Sequence, residues 1–260
     1  MSAEAIFSLE RDGGLAIVTL DHPPLNLFDA AAFDALAATV AELEREPARA
    51  LLVRAAGKVV SGGVDVAVFD GLTPGDASAL WRRLLSVVQR IEAFPFPTVF
   101  AAHALTLTAA FELSLACDLL VAARSARFGL VEMVVGLTPS MGGTQRLAAR
   151  AGPARARELV LTGELYAAET LEAWGVVNRV WDDDVFAERA RELAVRLSEG
   201  STLAHAATKR ILRAFQQGGV AGADAVVPDA SGALFATEDL EAAVRSFLDH
   251  GPGHATYKGR

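Results

Sequence analysis

The sequence predicts an α/β fold followed by a helical tail. Three observations carry that expectation: short Val/Leu-rich runs of strand length, the order strand, turn, helix recurring through the first half, and an almost purely helical pattern from Gly142 onward. With 260 residues, 52% of them hydrophobic, the chain can bury one large core with a small appended lobe.

The elements follow in order. Residues 6–10 and 15–20 read as a hairpin joined at Asp12-Gly13-Gly14, a short turn signal. Phe33, Leu36, Val40 and Leu43 then fall three and four apart, which marks residues 29–44 as an amphipathic helix with Asp29 as its N-cap. Residues 51–55 are a buried strand. Ser61-Gly62-Gly63 is a Gly-rich turn leading through Asp65, and residues 77–92 form a long helix that Pro95 and Pro97 forbid from continuing. Residues 98–102 read as a strand, 109–116 as a helix and 119–123 as a strand. Helices are expected near 144–149, 154–161, 168–173, 185–199, 203–215 and 237–250, with a strand-like stretch at 176–180. Asp182-Asp183-Asp184 is expected to cap the helix that begins near Val185. The boundary falls near Leu197-Ser198-Glu199-Gly200, dividing the chain into residues 1–197 and 198–260, and residues 217–222 read as a mobile connection.

Composition excludes several classes of function. The 24 basic and 32 acidic side chains give no electrostatic footprint for nucleic acid or an anionic membrane. No apolar run approaches the roughly 20 residues that span a bilayer, and Met1-Ser2-Ala3-Glu4 does not resemble a secretory signal. The single cysteine, Cys117, fits a reducing compartment, so the expected location is cytoplasmic; in its apolar string it reads as a buried structural thiol. Neither Gly-x-Gly-x-x-Gly after the first strand nor a phosphate-binding Gly-x-x-x-x-Gly-Lys loop is present. Gly-x-Ser-x-Gly fails at both Ser61 and Ser140. His22, His103, His205, His250 and His254 lack metal-ligand spacing, so no metal is expected.

Two carboxylates stand out because their neighbours look buried. Glu112 is the only charge in residues 108–116, and Glu132 is the only charge in residues 128–139. A carboxylate in apolar surroundings has a raised pKa unless it is paired, and two that face each other can share a proton. One can then deprotonate water while the other donates a proton. Pairing of Glu112 within its helix, or of Glu132 with Arg127 or Arg146, is the structural alternative.

The motifs taken together resemble the crotonase (enoyl-CoA hydratase/isomerase) family. They are Pro23-Pro24-Leu25-Asn26-Leu27-Phe28, Ser61-Gly62-Gly63-Val64-Asp65, Cys117-Asp118 after the helix bearing Glu112, Phe128-Gly129 before Glu132, and Gly142-Gly143-Thr144-Gln145-Arg146-Leu147. Leu161-Thr162-Gly163-Glu164, residues 173–180 and residues 235–239 extend the likeness over nearly the whole chain. The resemblance implies a ββα-spiral core over residues 1–197 and a helical oligomerisation region over 198–260, assembled as a homotrimer or hexamer. The substrate it implies is an acyl-CoA thioester, with coenzyme A as part of the substrate and no separate cofactor. By position the oxyanion-hole N–H groups fall on Val64 and Ala109, and the coenzyme A contacts on Leu25, Leu27, Lys58, Gly63, Asp65 and Val66. Tyr257 and Lys258 stand where a neighbouring subunit's tail meets the adenine in relatives. Hydratase members use two glutamates, matched by Glu112 and Glu132, whereas isomerase members keep chiefly the one matching Glu132.

The likeness has departures. Relatives commonly show Asn-Gly-x-Ala-x-Gly-Gly-Gly where this chain reads His103-Ala104-Leu105-Thr106-Leu107-Thr108-Ala109-Ala110. An added Cβ at any of these positions that needs positive φ costs free energy and narrows the site. Val64 stands where alanine is usual, and Ala67 where some relatives place a lysine. An isomerase and a catalytically impaired acyl-CoA-binding homologue therefore remain the alternatives to a hydratase.

Overall fold

The computed structural model describes residues 5–260. Strands β1 (Phe7–Asp12) and β2 (Leu15–Leu20) form the antiparallel hairpin, with Asp12 opposite Leu15 across the Gly13-Gly14 turn. Helix α1 (Ala30–Arg45) starts where Asp29 accepts a hydrogen bond from the Ala32 N–H at 2.7 Å, and it returns the chain to β3 (Ala50–Ala55), parallel to β2. Helix α2 (Pro74–Ala93) opens on a Thr73/Asp76 capping box, which satisfies two of its free N–H groups. After it come β4 (Thr98–Ala102), β5 (Thr106–Leu107), α3 (Thr108–Ala116), β6 (Leu119–Ala123) and β7 (Arg127–Gly129). The chain continues through α4 (Gly143–Ala151), α5 (Pro153–Thr162), β8 (Tyr166–Ala167), α6 (Ala168–Ala173), β9 (Arg179–Trp181) and α7 (Asp183–Glu199). Helices α8 (Thr202–Gly232) and α9 (Glu238–His250) form the tail.

The six-stranded sheet has the order β1-β2-β3-β4-β6-β9, parallel throughout except for the hairpin. Strand alternation splits its apolar side chains between two faces. One face packs Val18, Leu51, Phe100 and Leu120 against Phe33 and Leu36 of α1, Leu84 of α2 and Phe111 of α3. The other packs Leu15, Ile17, Leu52, Val99 and Val121 against Phe186 and Leu193 of α7. A second sheet, β5-β7-β8, is only two or three residues deep. Strands that short carry no readable period, so their pairing into a second sheet is not legible in the sequence.

Three expectations need correction. The strand expected at 176–180 begins only at Arg179, because Val176 and Val177 are buried in a turn and Asn178 spends both its N–H and its side-chain oxygen on Leu120. The connection expected over residues 217–222 is a sharp two-residue kink rather than a longer mobile stretch: Gly218 (φ −136°, ψ 15°) and Gly219 (φ 62°, ψ −157°) leave helical geometry and divide α8 into two helical segments. The aspartate run places Asp183 and Asp184 in the first turn of α7, yet the Asp182 side chain makes no cap bond. It accepts instead from Arg124 Nε at 2.7 Å, while Asp183 accepts from the Ser125 N–H at 3.0 Å, so the run ties α7 to the β6–β7 turn.

The C-terminal residues are held in place. Asp239 is buried at the start of α9, and its two oxygens accept from the Lys258 and Gly259 N–H groups at 2.7 and 2.8 Å. Among the described residues no helix is long and apolar enough to cross a membrane.

Candidate active site

The site begins with Asn26, a buried residue at φ 52°, a left-handed conformation that asparagine tolerates. Its side-chain amide donates to the carbonyls of Ala56 (2.9 Å), Val59 (3.1 Å) and Val60 (3.3 Å). Its own carbonyl accepts from Ser61 Oγ at 2.7 Å, and that Oγ in turn accepts from the Gly63 N–H at 3.0 Å. The Phe28 N–H donates to the Gly63 carbonyl, and the Asp65 N–H donates to the Phe28 carbonyl. Backbone groups on both sides of Val64 are thus committed, while among the described residues its own N–H has no protein acceptor.

The same turn is pinned to the start of α3. Ser61 bridges Thr106 in parallel, and the Leu107 N–H donates to the Ser61 carbonyl at 3.1 Å. Helix α3 has no capping side chain, so the Ala109 N–H in its first turn is left without an intrahelical acceptor. Of the eight positions where relatives place their Asn/Gly stretch, only Thr108 takes positive φ, at 43°. That conformation is a marked outlier for a β-branched residue. Gly63 faces it at φ +107°, and a Cβ on Gly63 would come within 2.7 Å of Thr108 Oγ1, so only glycine fits.

Glu112 lies one turn along α3 from Thr108 and Ala109, on the same face. It is 3% exposed, and its Oε1 accepts from the N–H groups of Met141 (2.8 Å) and Gly143 (2.9 Å). The loop can come this close because position 143 has no side chain; a Cβ there would meet Glu112 Cγ at 2.7 Å. Burial pushes the Glu112 pKa up to about 7, against the lowering effect of the two N–H donors and of Arg146.

Glu132 follows β7 and opens a 3-10 turn, Glu132–Val135. Because β7 runs parallel to β5, and β5 leads directly into α3, the loop bearing Glu132 is brought beside the α3 N-terminus. Phe128 of β7 and Phe111 of α3 lock that arrangement with ring centroids 5.2 Å apart. The Glu132 residue is only half-buried, yet both of its carboxylate oxygens are buried and without a hydrogen-bond partner among the described residues. Burial, and then the nearby Glu112 charge, push its pKa up to about 8. Arg146 pairs with Glu92 at 2.6 Å and Arg127 donates to the carbonyls of Ser125 and Ala126, so neither arginine takes Glu132.

Other expected contact residues divide into two groups. Leu25 and Leu27 pack against Gly62 at the edge of the turn, with Leu25 exposed, and Lys58 and Val66 are also exposed. The N–H groups of Gly63 and Asp65 are spent inside the fold. Ala67 donates its N–H to Asp65 in a 3-10 turn, and Tyr257 and Lys258 belong to the tail folded onto α9. Cys117 is buried with its thiol pushed up to about 12 by burial, as expected for a structural thiol. Among the described residues no cluster of His, Cys, Asp or Glu is arranged to hold a metal ion.

Residues 10–256 match the family model described as enoyl-CoA hydratase/isomerase. The chain belongs to the enoyl-CoA hydratase/isomerase, or crotonase, family. Within that family it is 30% identical to a probable enoyl-CoA hydratase of Bacillus subtilis, over 93% of this chain and 95% of that one. It is 27% identical to the short-chain-enoyl-CoA hydratase of Clostridium acetobutylicum, over 93% and 94%. Among solved structures, the putative enoyl-CoA hydratase from Streptomyces coelicolor superposes with a TM-score of 0.92 at 30% identity, covering 100% of this chain and 97% of that one. The putative enoyl-CoA hydratase/isomerase from Mycobacterium abscessus gives 0.90 at 27%, covering 98% and 100%. The crotonase-type α/β core with a C-terminal helical region is therefore the fold of this chain.

The crotonase motifs point to the two glutamates but not to what holds them. Asn26 as the clamp of the 56–63 loop, the Met141 and Gly143 N–H groups on Glu112, and the strain at Thr108 all depend on contacts made by folding. Asn26 inside a Pro-Pro-Leu-Asn turn was the one available signal, since asparagine is favoured where the chain takes positive φ.

Proposed function

We propose that this crotonase-family enzyme adds water across the double bond of a 2-enoyl-CoA thioester. The observation that carries the reading is the contrast between two glutamates whose carboxylate oxygens are both withdrawn from solvent. Glu112 is stabilised as an anion by two N–H groups, while Glu132 has no donor and is pushed higher. Near neutral pH the pair then holds one proton, chiefly on Glu132. Glu112 is the base and Glu132 the acid.

In this reading the thioester oxygen accepts from the Val64 and Ala109 N–H groups. Glu112 takes a proton from water as the water oxygen bonds to Cβ, and the electron pair of the double bond moves toward the thioester oxygen as an enolate. Glu132 then protonates Cα, the thioester carbonyl re-forms, and a proton returning from Glu112 to Glu132 resets the pair. Each oxyanion donor of this kind contributes about 2.7–4 kcal/mol to the barrier reduction. Leu25, Leu27, Lys58 and Val66 are the proposed contacts to coenzyme A, which belongs to the substrate; no other cofactor enters the scheme. The exposed Leu212, Phe215, Val220, Phe235, Val244, Phe247 and Leu248 on the tail support assembly into a homotrimer or hexamer.

The test is hydration of crotonyl-CoA by the wild type and by Glu112→Gln and Glu132→Gln. Loss of at least about 100-fold in kcat in both variants is expected, and an unchanged rate in either sinks the two-carboxylate mechanism. A second reading, isomerisation of 3-enoyl-CoA, is favoured by the absence of any partner on Glu132, which suits a group that shuttles a proton between Cα and Cγ. Turnover of a 3-enoyl-CoA that survives Glu112→Gln selects it.

A further inference from the structure

We propose that the Thr108 hydroxyl is a third hydrogen-bond donor to the thioester oxygen, beside the Val64 and Ala109 N–H groups, and that it sets how strongly the site holds an enolate. The inference rests on the acyl-CoA reading above and adds a residue to that site.

Three independent observations converge on this hydroxyl. Thr108 is a β-branched residue held at φ 43°, a conformation that surrounding structure must enforce and that tends to persist at functional sites. The residue is 7% exposed, and Oγ1 is buried with no hydrogen-bond partner among the described residues. Oγ1 also lies against Gly63, the residue before Val64, while the Thr108 backbone leads into the Ala109 N–H. The hydroxyl therefore belongs to the residue preceding one backbone donor and lies against the residue preceding the other.

The donor balance around it decides the role. A threonine hydroxyl can donate once and accept twice. The nearest turn carbonyls are already engaged: Gly63 accepts from Phe28, and Ser61 accepts from Leu107. What is left over is three donors, the Val64 and Ala109 N–H groups and the Thr108 O–H, with no protein acceptor among the described residues. A buried excess of donors suits one oxygen that gains negative charge during reaction. Thr108 Cγ2 would sit 3.4 Å from a Cβ on Gly63, and a β-branched side chain has few χ1 choices. The hydroxyl is thus preorganised, and a serine would hold it less firmly.

The experiment uses the full chain with two probes that it does not turn over by hydration. Butyryl-CoA reports binding of the thioester. Acetoacetyl-CoA reports enolate stabilisation: its Cα–H bond breaks, the proton leaves to water, and the electron pair delocalises onto the carbonyl oxygens with a change in near-ultraviolet absorbance. Wild type is expected to lower the pH midpoint of enolisation relative to free acetoacetyl-CoA. Thr108→Val, which keeps the shape and loses the hydroxyl, is expected to raise that midpoint by about one to two pH units, a 10- to 100-fold loss. Its butyryl-CoA affinity should change less than about threefold. Thr108→Ser should recover most of the enolate signal. Thr108→Gly relieves the backbone strain and folds readily, so it is the control for misfolding; its midpoint should move with that of Thr108→Val. A wild-type midpoint in either Thr108→Val or Thr108→Gly overturns the donor role and leaves the acyl-CoA reading standing. No butyryl-CoA binding by the wild type sinks the acyl-CoA reading, and the donor role with it.

Discussion

Replacing Glu112 with glutamine removes a charge that this fold buries at a cost while keeping the shape and the oxygen that accepts from Met141 and Gly143. The residue is 3% exposed, and its pKa rises from the ordinary 4.5 to about 7 because burial disfavours the anion. A raised folded-state pKa means that the folded protein binds this proton more tightly than the unfolded chain does. Stability from Glu112 is therefore fully present below pH 4.5 and is lost as pH rises through 7. At about 1.4 kcal/mol per pH unit, the interval between 4.5 and 7 corresponds to roughly 3 kcal/mol. Glutamine does not titrate, so Glu112→Gln should gain about 3 kcal/mol over wild type between pH 5 and pH 9, or about 6–12 °C in Tm for a chain of this size. The measurement is thermal or urea unfolding of both proteins at the two pH values and one fixed concentration, since assembly makes stability concentration-dependent. A gain that is the same at pH 5 and pH 9, or a loss at pH 9, would refute the claim that Glu112 is buried as a costly anion. The price of activity at this site is then visible as stability recovered when activity is removed.

Other outcomes follow from the same geometry. With Glu112 needed as anion and Glu132 as acid, kcat/KM for hydration should rise near pH 7 and fall near pH 8, a narrow bell; a profile flat from pH 6 to 9 would contradict the assignment. Gly143→Ala places a Cβ 2.7 Å from Glu112 Cγ, so kcat should fall at least about tenfold and stability by about 1–3 kcal/mol, read by steady-state kinetics and urea melts. Asn26→Ala strips the amide donor from three loop carbonyls and should cost about 1–3 kcal/mol while raising KM for the acyl-CoA; an unchanged KM would show that the 56–63 loop does not depend on this clamp.

How much was legible in the sequence varies by element. The helical stretches 29–44, 77–92 and 185–199 were readable because the spacing of apolar residues and the caps are local properties of the chain. Strands β3, β4 and β6 of the large sheet were readable because each is a five- or six-residue run rich in Val, Leu, Ala or Phe. The register of β9 was not, since it follows from Asn178 binding Leu120 across 58 residues. Nor was the small β5-β7-β8 sheet, although it is the element that carries Glu132 to the start of α3.

By itself the sequence determined the fold class, the family, and the two carboxylates set in apolar surroundings, because periodicity, motif order and the isolation of a single charge are written along the chain. Only the tertiary structure decided that the two glutamates differ. Met141 and Gly143 reach Glu112 from a loop about 30 residues away and leave Glu132 with none. It also decided that Thr108, a β-branched residue, takes positive φ at the start of α3. The physical reason is that pKa and strain are set by what surrounds a group once water is excluded, and those neighbours come together only through folding.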